Sequence, residues 1–420
     1  MNVSPARVCA YNVVRRVFEQ DAYADRALRG EAAGLSPRDR ALATALAFGT
    51  VQRRATLDYV AGRFSTRPPE RLDPPVLAAV RIGLFQLLFL GGVADHAAVN
   101  ESVELAKRFA RGGSGYVNAV LRRAAREGRG VLEELDDSTP DRAAVFHSVP
   151  RWLASQWFSE LGPAQARALL AVVNEPAEAA LRVNTLKAPD GVALPVRAHP
   201  AADLPEGLVL DEPFDVHGSA PFAGGLVIPQ SRASMAVARV LDPRAGERIL
   251  DLCAAPGAKT THLAALTGGE AEIVAVERNP GRARALRETC ATMGAANVSV
   301  VEVDAREFVA SEPFDRVLVD PPCSGLGTLQ SRPDIRWRAQ PSSIAELVPL
   351  QRAILDAGAA ALGPGGTLVY SVCTISRAEG DAVVDAFLEA HPRLTELDRR
   401  QLLPHHDGTD GFFITRLQSA

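Results

Sequence analysis

Cysteine is scarce in this chain and never closely spaced: Cys9, Cys253, Cys290, Cys323 and Cys373 are its five, with no Cys-x-x-Cys pair. An odd set of scattered thiols argues against a disulfide framework and a structural zinc site, and no metal is expected. Long apolar runs are missing as well, so no membrane-spanning helix is expected. Arg7, Arg15 and Arg16 interrupt the region where a secretory signal would need an apolar core. The cytoplasm is the expected compartment. Lysine occurs only at Lys107, Lys187 and Lys259, so the basic residues are almost all arginine. A formal net charge of −4 excludes a global cationic field for a polyanionic partner. The arginines are nevertheless concentrated in residues 1–130, which leaves the acidic balance downstream.

The residues that are present divide the chain. Up to about residue 130, apolar residues recur at helical spacing, as in Val13, Val14, Val17 and Phe18 or Leu77, Val80, Leu84, Leu87 and Leu88. Ser36-Pro37, Asp73-Pro74-Pro75 and Gly112-Gly113 punctuate the pattern, and no alternation of period two intervenes. Residues 1–135 are therefore expected to be all-α, followed by an acidic linker. Residues 146–235 mix short helical and short extended runs and read as a small α+β module. From residue 236 the rhythm becomes βαβ: strand-like runs at 248–252, 273–276, 298–303, 316–319 and 367–372 alternate with helix-like segments at 259–266, 281–293, 343–362 and 377–389. That calls for an α/β, Rossmann-like domain on a parallel sheet over 236–420, with 411–417 adding an antiparallel strand.

In such a sheet, ligands bind beyond the carboxyl ends of the strands. The first strand leads into Asp251-Leu252-Cys253-Ala254-Ala255-Pro256-Gly257-Ala258-Lys259-Thr260, whose small residues let a ligand approach the backbone and a helix N-terminus. The loop matches neither G-x-G-x-x-G nor G-x-x-x-x-G-K-[ST], which disfavours a dinucleotide or a nucleoside triphosphate. Glu277 ends the second strand, where a carboxylate takes the hydroxyls of a ribose, and Asp304 ends the third, near an adenine edge. An adenosyl ligand without a pyrophosphate fits this set, and S-adenosyl-L-methionine is the expected cofactor.

Cys323 and Cys373 each follow an apolar run, in Asp320-Pro321-Pro322-Cys323-Ser324-Gly325 and in Tyr370-Ser371-Val372-Cys373-Thr374. Asp-Pro-Pro at a fourth strand end is similar to the signature of amino methyltransferases, except that a thiol stands where those have an aromatic. Methylation at C5 of a pyrimidine calls for a thiol, because that carbon becomes nucleophilic only after a thiolate adds to C6. Asp320 is expected to bond the cytosine edge and stabilise the charge that develops. Position alone does not say which sulfur attacks.

At these segments the chain closely resembles the RsmB (Sun/Fmu) family of RNA cytosine-5 methyltransferases. His96-Ala97-Ala98-Val99-Asn100-Glu101 and Val117-Asn118-Ala119-Val120-Leu121-Arg122-Arg123 resemble that family's NusB-like helical domain, and Arg182-Val183-Asn184-Thr185-Leu186-Lys187 its RNA-facing module. The resemblance implies Cys373 as nucleophile and Cys323 as the thiol that assists product release. It also implies a cofactor and base pocket of Cys253, Ala254, Ala255, Pro256, Gly257, Ala258, Lys259, Glu277, Asp304 and Asp320. Three positions depart from the family pattern: Ala258 replaces a second glycine, Gly380 replaces an asparagine after Glu379, and Gln230-Ser231-Arg232-Ala233-Ser234 lacks an acid. The expected partner is RNA, 16S rRNA as naked RNA or in an early small-subunit assembly intermediate, bound by a monomer without a membrane. The alternatives are an exocyclic-amine methyltransferase using Asp320-Pro321-Pro322, and a non-catalytic RNA-binding or antitermination protein.

Overall fold

A computed structural model describes residues 3–420. The chain divides into two compact units, Met1–Glu175 with Leu329–Arg338, and Pro176–Thr328 with Ala339–Ala420.

The first unit is helical, as its periodicity predicts. Proline opens five of its helices, Pro5–Glu19, Pro37–Gln52, Pro74–Leu88, Pro140–Phe146 and Pro163–Val172. At the first helical position the missing N–H costs nothing and the fixed φ is already helical. Ser36 adds a side-chain cap, accepting from Asp39 N–H at 3.1 Å. The apolar stripes close on Tyr11, Leu46, Leu57, Ile82, Leu84 and Leu105, all fully buried. One contribution had no sequence signal. Arg336, far along the chain, is fully buried in this unit, where it donates to the carbonyls of Ser148 and Val173 and to Asn174 Oδ1. Helices Arg151–Leu161 and Pro163–Val172 also belong to this unit, while the strands that follow them belong to the other.

The second unit holds two sheets. The smaller is antiparallel, in the order β2-β3-β1-β4, from β1 (Ala180–Val183), β2 (Ala198–Ala201), β3 (Leu204–Leu210) and β4 (Val227–Pro229). The larger has seven strands: β5 (Arg248–Asp251), β6 (Glu272–Val276), β7 (Val298–Val301), β8 (Phe314–Val319), β9 (Leu362–Val372), β10 (Leu394–Leu402) and β11 (Phe412–Ser419). Their order is β10-β11-β9-β8-β5-β6-β7, parallel from β9 to β7, with β11 antiparallel to β9 and to β10. The expected final antiparallel strand is present, and β10, rich in charge and half exposed, was not anticipated.

Side chains alternate across the sheet as period two requires. Val317, Val319, Leu368 and Tyr370 pack with Ile354, Leu355 and Val383 on one face. Leu318 and Val369 pack with Val237, Leu263 and Leu286 on the other. Apolar residues on both faces explain why these strands read as continuous hydrophobic runs. Strand order reverses at β5, whose neighbours are β6 on one side and β8 on the other. A crevice at such a switch point, beyond the carboxyl ends, is where this architecture binds ligands.

Candidate active site

The loop after β5 enters that crevice. Gly257 carries φ 106°, and a Cβ there would meet Leu286 Cδ1 at 2.8 Å, so only glycine makes this turn. Ala258 opens the helix Ala258–Leu266 with negative φ, which removes the strain its methyl would otherwise cause. Ala254 and Ala255 are buried, and Cys253 is half-buried. Burial pushes the Cys253 thiol far above its ordinary range, which disfavours its thiolate form.

Below the loop, Asp251 is buried and accepts from Thr260 Oγ1 at 2.7 Å, while its Oδ1 has no partner. Burial, opposed by the Thr260 bond and reinforced by Asp320, raises its pKa to about 6. A carboxyl raised in the folded state keeps its proton where the unfolded chain has released it. Its contribution to stability is therefore complete below about pH 4 and lost as pH rises through about 6. Asp251→Asn should abolish that dependence. Denaturant unfolding from pH 4 to 7 is expected to show wild type losing about 3 kcal/mol relative to the variant.

At the end of β6, Glu277 is buried; it accepts from Asn279 N–H at 2.8 Å and lies 3.3 Å from Arg282 Nε. Asp304, after β7, is held in a fork by Arg306 at 2.9 and 2.7 Å, which keeps its carboxyl well below the usual range. The cradle of small residues, the orphaned Asp251 oxygen and carboxylates beyond β6 and β7 fit an adenosyl sulfonium compound. Its cationic centre suits a crevice edged with acids.

The reacting side lies beyond β8 and β9. Asp320 Oδ2 receives Lys259 Nζ at 2.7 Å, and Oδ1 receives Ser371 Oγ at 2.8 Å. Burial works against the Lys259 ammonium, but Asp320, with help from Cys373 and Asp251, holds its pKa above the usual lysine value. Cys323 Sγ and Cys373 Sγ are 3.3 Å apart. Two anionic sulfurs cannot share that space, so the two thiols do not ionise independently. The hydrogen bond to Cys373, burial, and the Cys373, Glu379 and Asp320 charges push the Cys323 thiol well above its ordinary range.

Two glycines shape the surrounding backbone. Gly327 N–H donates to Cys373 O at 3.0 Å and Gly411 N–H to Gly327 O at 2.8 Å; a Cβ on Gly327 would stand 1.8 Å from Gly411 O. Gly380 packs beneath Phe413, and a Cβ there would meet its ring at 2.8 Å. The asparagine missing at this position therefore has no room here, and the ring occupies its place. In the other departing segment, Ser231 caps the helix Arg232–Leu241, and Gln230 Nε2 bonds Ser234 Oγ at 3.2 Å.

Residues 238–418 match the family model described as 16S rRNA methyltransferase RsmB/F, residues 4–126 the NusB family, and residues 149–217 an RsmF/B-like ferredoxin-like domain. Over 446 residues the chain is 33% identical to the probable ribosomal RNA small subunit methyltransferase B of Bacillus subtilis, covering 100% of this chain and 99% of that protein. The chain belongs to the RsmB family. A relative of the same description from Synechocystis is 36% identical over 449 residues, covering 99% of each chain. Among solved structures, that titled PH0851 superposes with a TM-score of 0.82 at 25% identity over 100% of both chains. A methyltransferase homologue from Pyrococcus horikoshii gives a TM-score of 0.59 at 26% identity, covering 68% of this chain and 100% of that one. This RsmB-family protein is an S-adenosylmethionine-dependent RNA methyltransferase with a NusB-like helical domain and a Rossmann-like sheet.

The structure brings together Lys259, Asp320, Cys323 and Cys373. The loop of residues 253–259, Glu277 and Asp304 follow β5, β6 and β7. Sequence reasoning gave no role to Ser324, Gln351, Ser371 and Thr374, and it noted Glu379 only as a family position. A glutamate six residues after the nucleophile candidate, just ahead of a helix, was the one available signal.

Proposed function

We propose that this methyltransferase acts on C5 of a cytosine in small-subunit ribosomal RNA, through a covalent bond between Cys373 and C6. The observation that carries this reading is the pair of sulfurs 3.3 Å apart, beside the Lys259–Asp320 ion pair. A single thiol can attack; a second in contact is useful only if the first must later leave.

The upward push on the Cys323 thiol, and the Lys259 ammonium within electrostatic reach of Cys373, support Cys373 as the nucleophile. Its sulfur adds to C6, and the ring's electrons move toward C5. Asp320, at the end of β8, would orient the base by accepting from its exocyclic amine. S-adenosylmethionine supplies the methyl group to C5 when bound in the loop of residues 253–259 with Glu277 and Asp304. A base then takes the C5 proton, the C6–sulfur bond breaks, and the electron pair returns to Cys373. Cys323, the neighbouring thiol, assists that departure. The Bacillus subtilis and Synechocystis relatives, each a probable ribosomal RNA small subunit methyltransferase B, support ribosomal RNA as the target. Residues 1–135 and 146–235 are proposed as the RNA-positioning parts and 236–420 as the catalytic part.

Small-subunit ribosomal RNA lacking the modification is the substrate for the test, with methyl-labelled cofactor. Label on cytosine C5 is expected after nuclease digestion. Label on an exocyclic nitrogen, or none, would overturn the reading.

A further inference from the structure

Glu379 is fully buried in the turn ahead of the helix Asp381–Ala390. Its carboxylate accepts from both loops that carry the sulfurs. Oε1 takes Ser324 N–H at 2.7 Å and Gln351 Nε2 at 3.0 Å; Oε2 takes the Thr374 hydroxyl at 3.0 Å and the Ser324 hydroxyl. Ser324 is the residue after Cys323, and Thr374 the residue after Cys373. The two hydroxyls also lie 2.8 Å from each other. The frame around the carboxylate is itself anchored: Gln351 donates to Pro322 O at 3.0 Å, and Tyr370 OH to Glu379 O at 2.7 Å.

β8 and β9 deliver their cysteines to loops, and loops do not hold atoms to a fraction of an ångström by themselves. We propose that Glu379 is a positioning residue: its carboxylate ties the residue after Cys323 to the residue after Cys373, and so holds the two sulfurs at the separation the release step requires. The proposal rests on the reading of these thiols as the reacting pair. Glu379 acts through Ser324 and Thr374, the residues next to the two cysteines. Neutral donors stabilise its charge, and its two oxygens are shared among donors from three chain segments. A misplacement of about 1 Å at reacting atoms can cost on the order of 10²-fold in rate.

Full-length wild type, Glu379→Ala and Glu379→Gln are compared first without RNA or cofactor. Dibromobimane, which becomes fluorescent when its two arms alkylate adjacent thiols, reads the geometry of the pair; Cys373→Ser supplies the background. Glu379→Ala is expected to slow bridging at least tenfold, while single-arm labelling by monobromobimane changes less than threefold. Glu379→Gln keeps one acceptor and offers an N–H to the hydroxyl oxygens, and should stay within about threefold of wild type. In turnover, Glu379→Ala should lower kcat ten- to a hundredfold, leave KM for the cofactor within threefold, and raise the steady-state level of protein–RNA adduct, since attack survives and release does not.

Bridging at the wild-type rate in Glu379→Ala would overturn the proposal, as would a glutamine variant no better than alanine. Should Glu379→Ala not fold, Ser324→Ala combined with Thr374→Val carries the same test with the same expected loss of bridging. If wild type formed no adduct with RNA while bridging still depended on Glu379, the roles given to the cysteines would fall and the positioning role would stand.

Discussion

Cys323→Ser is expected to accumulate a covalent protein–RNA adduct, and Cys373→Ser to form neither adduct nor product. The asymmetry follows from the proposed division of roles: with the sulfurs 3.3 Å apart, the bond to Cys373, burial and nearby charges push the Cys323 thiol up, and Cys373 is the proposed attacker. A serine hydroxyl at position 373 is a far weaker nucleophile near neutral pH, so turnover should fall by roughly three orders of magnitude or more. At position 323 serine leaves the attacker intact and removes only the thiol that helps it depart. Turnover should again be lost, but now with protein and RNA migrating together under denaturing conditions and separating after nuclease treatment. The opposite pattern would exchange the two roles. Activity retained in both variants would remove the covalent mechanism and favour amine methylation.

Asp320→Asn should damage both stability and rate. The carboxylate pairs with Lys259 at 2.7 Å and accepts from Ser371 at 2.8 Å. An amide is nearly the same size but leaves the Lys259 ammonium, 14% exposed, without its counter-charge. Breaking a fully buried pair costs roughly 3–5 kcal/mol. Asp320 is 25% exposed, so water screens part of that, and a loss of about 2 kcal/mol is expected. Thermal unfolding should shift down by roughly 4–8 °C for a unit of this size. Turnover should fall by about 10²- to 10³-fold under the proposed base-orienting role, the usual cost of removing one positioned polar contact at a reacting centre. Unchanged turnover with a lowered transition would reduce Asp320 to a structural partner of Lys259.

Much of the architecture was legible because it rests on local rules. Prolines at first helical positions and apolar residues at helical spacing marked the helices of the first unit. Continuous apolar runs marked five strands of the parallel sheet. β10 escaped because Glu396, Asp398, Arg399 and Arg400 on an edge strand resemble a solvated loop. Arg336 escaped because burying a guanidinium among distant carbonyls leaves no local pattern.

Glu277 and Asp304 could be placed from sequence because each follows its own strand. Their partners could not: Arg306 holds Asp304 through a turn whose geometry no spacing rule supplies. The asparagine missing at Gly380 is explained by Phe413, more than thirty positions later.

The sequence by itself determined that two thiols, an aspartate and a small-residue loop stand at strand ends, because alternation and turn chemistry act over a few residues. Only the tertiary structure decided that the thiols meet. β8 and β9 are separated by the 21-residue helix Pro341–Ala361, yet lie side by side and parallel in the sheet. Adjacent strands run about 5 Å apart, which brings their ends within reach of a sulfur–sulfur contact. Lateral order in a sheet is set by which faces the crossing helices cover, and that is a property of the whole core.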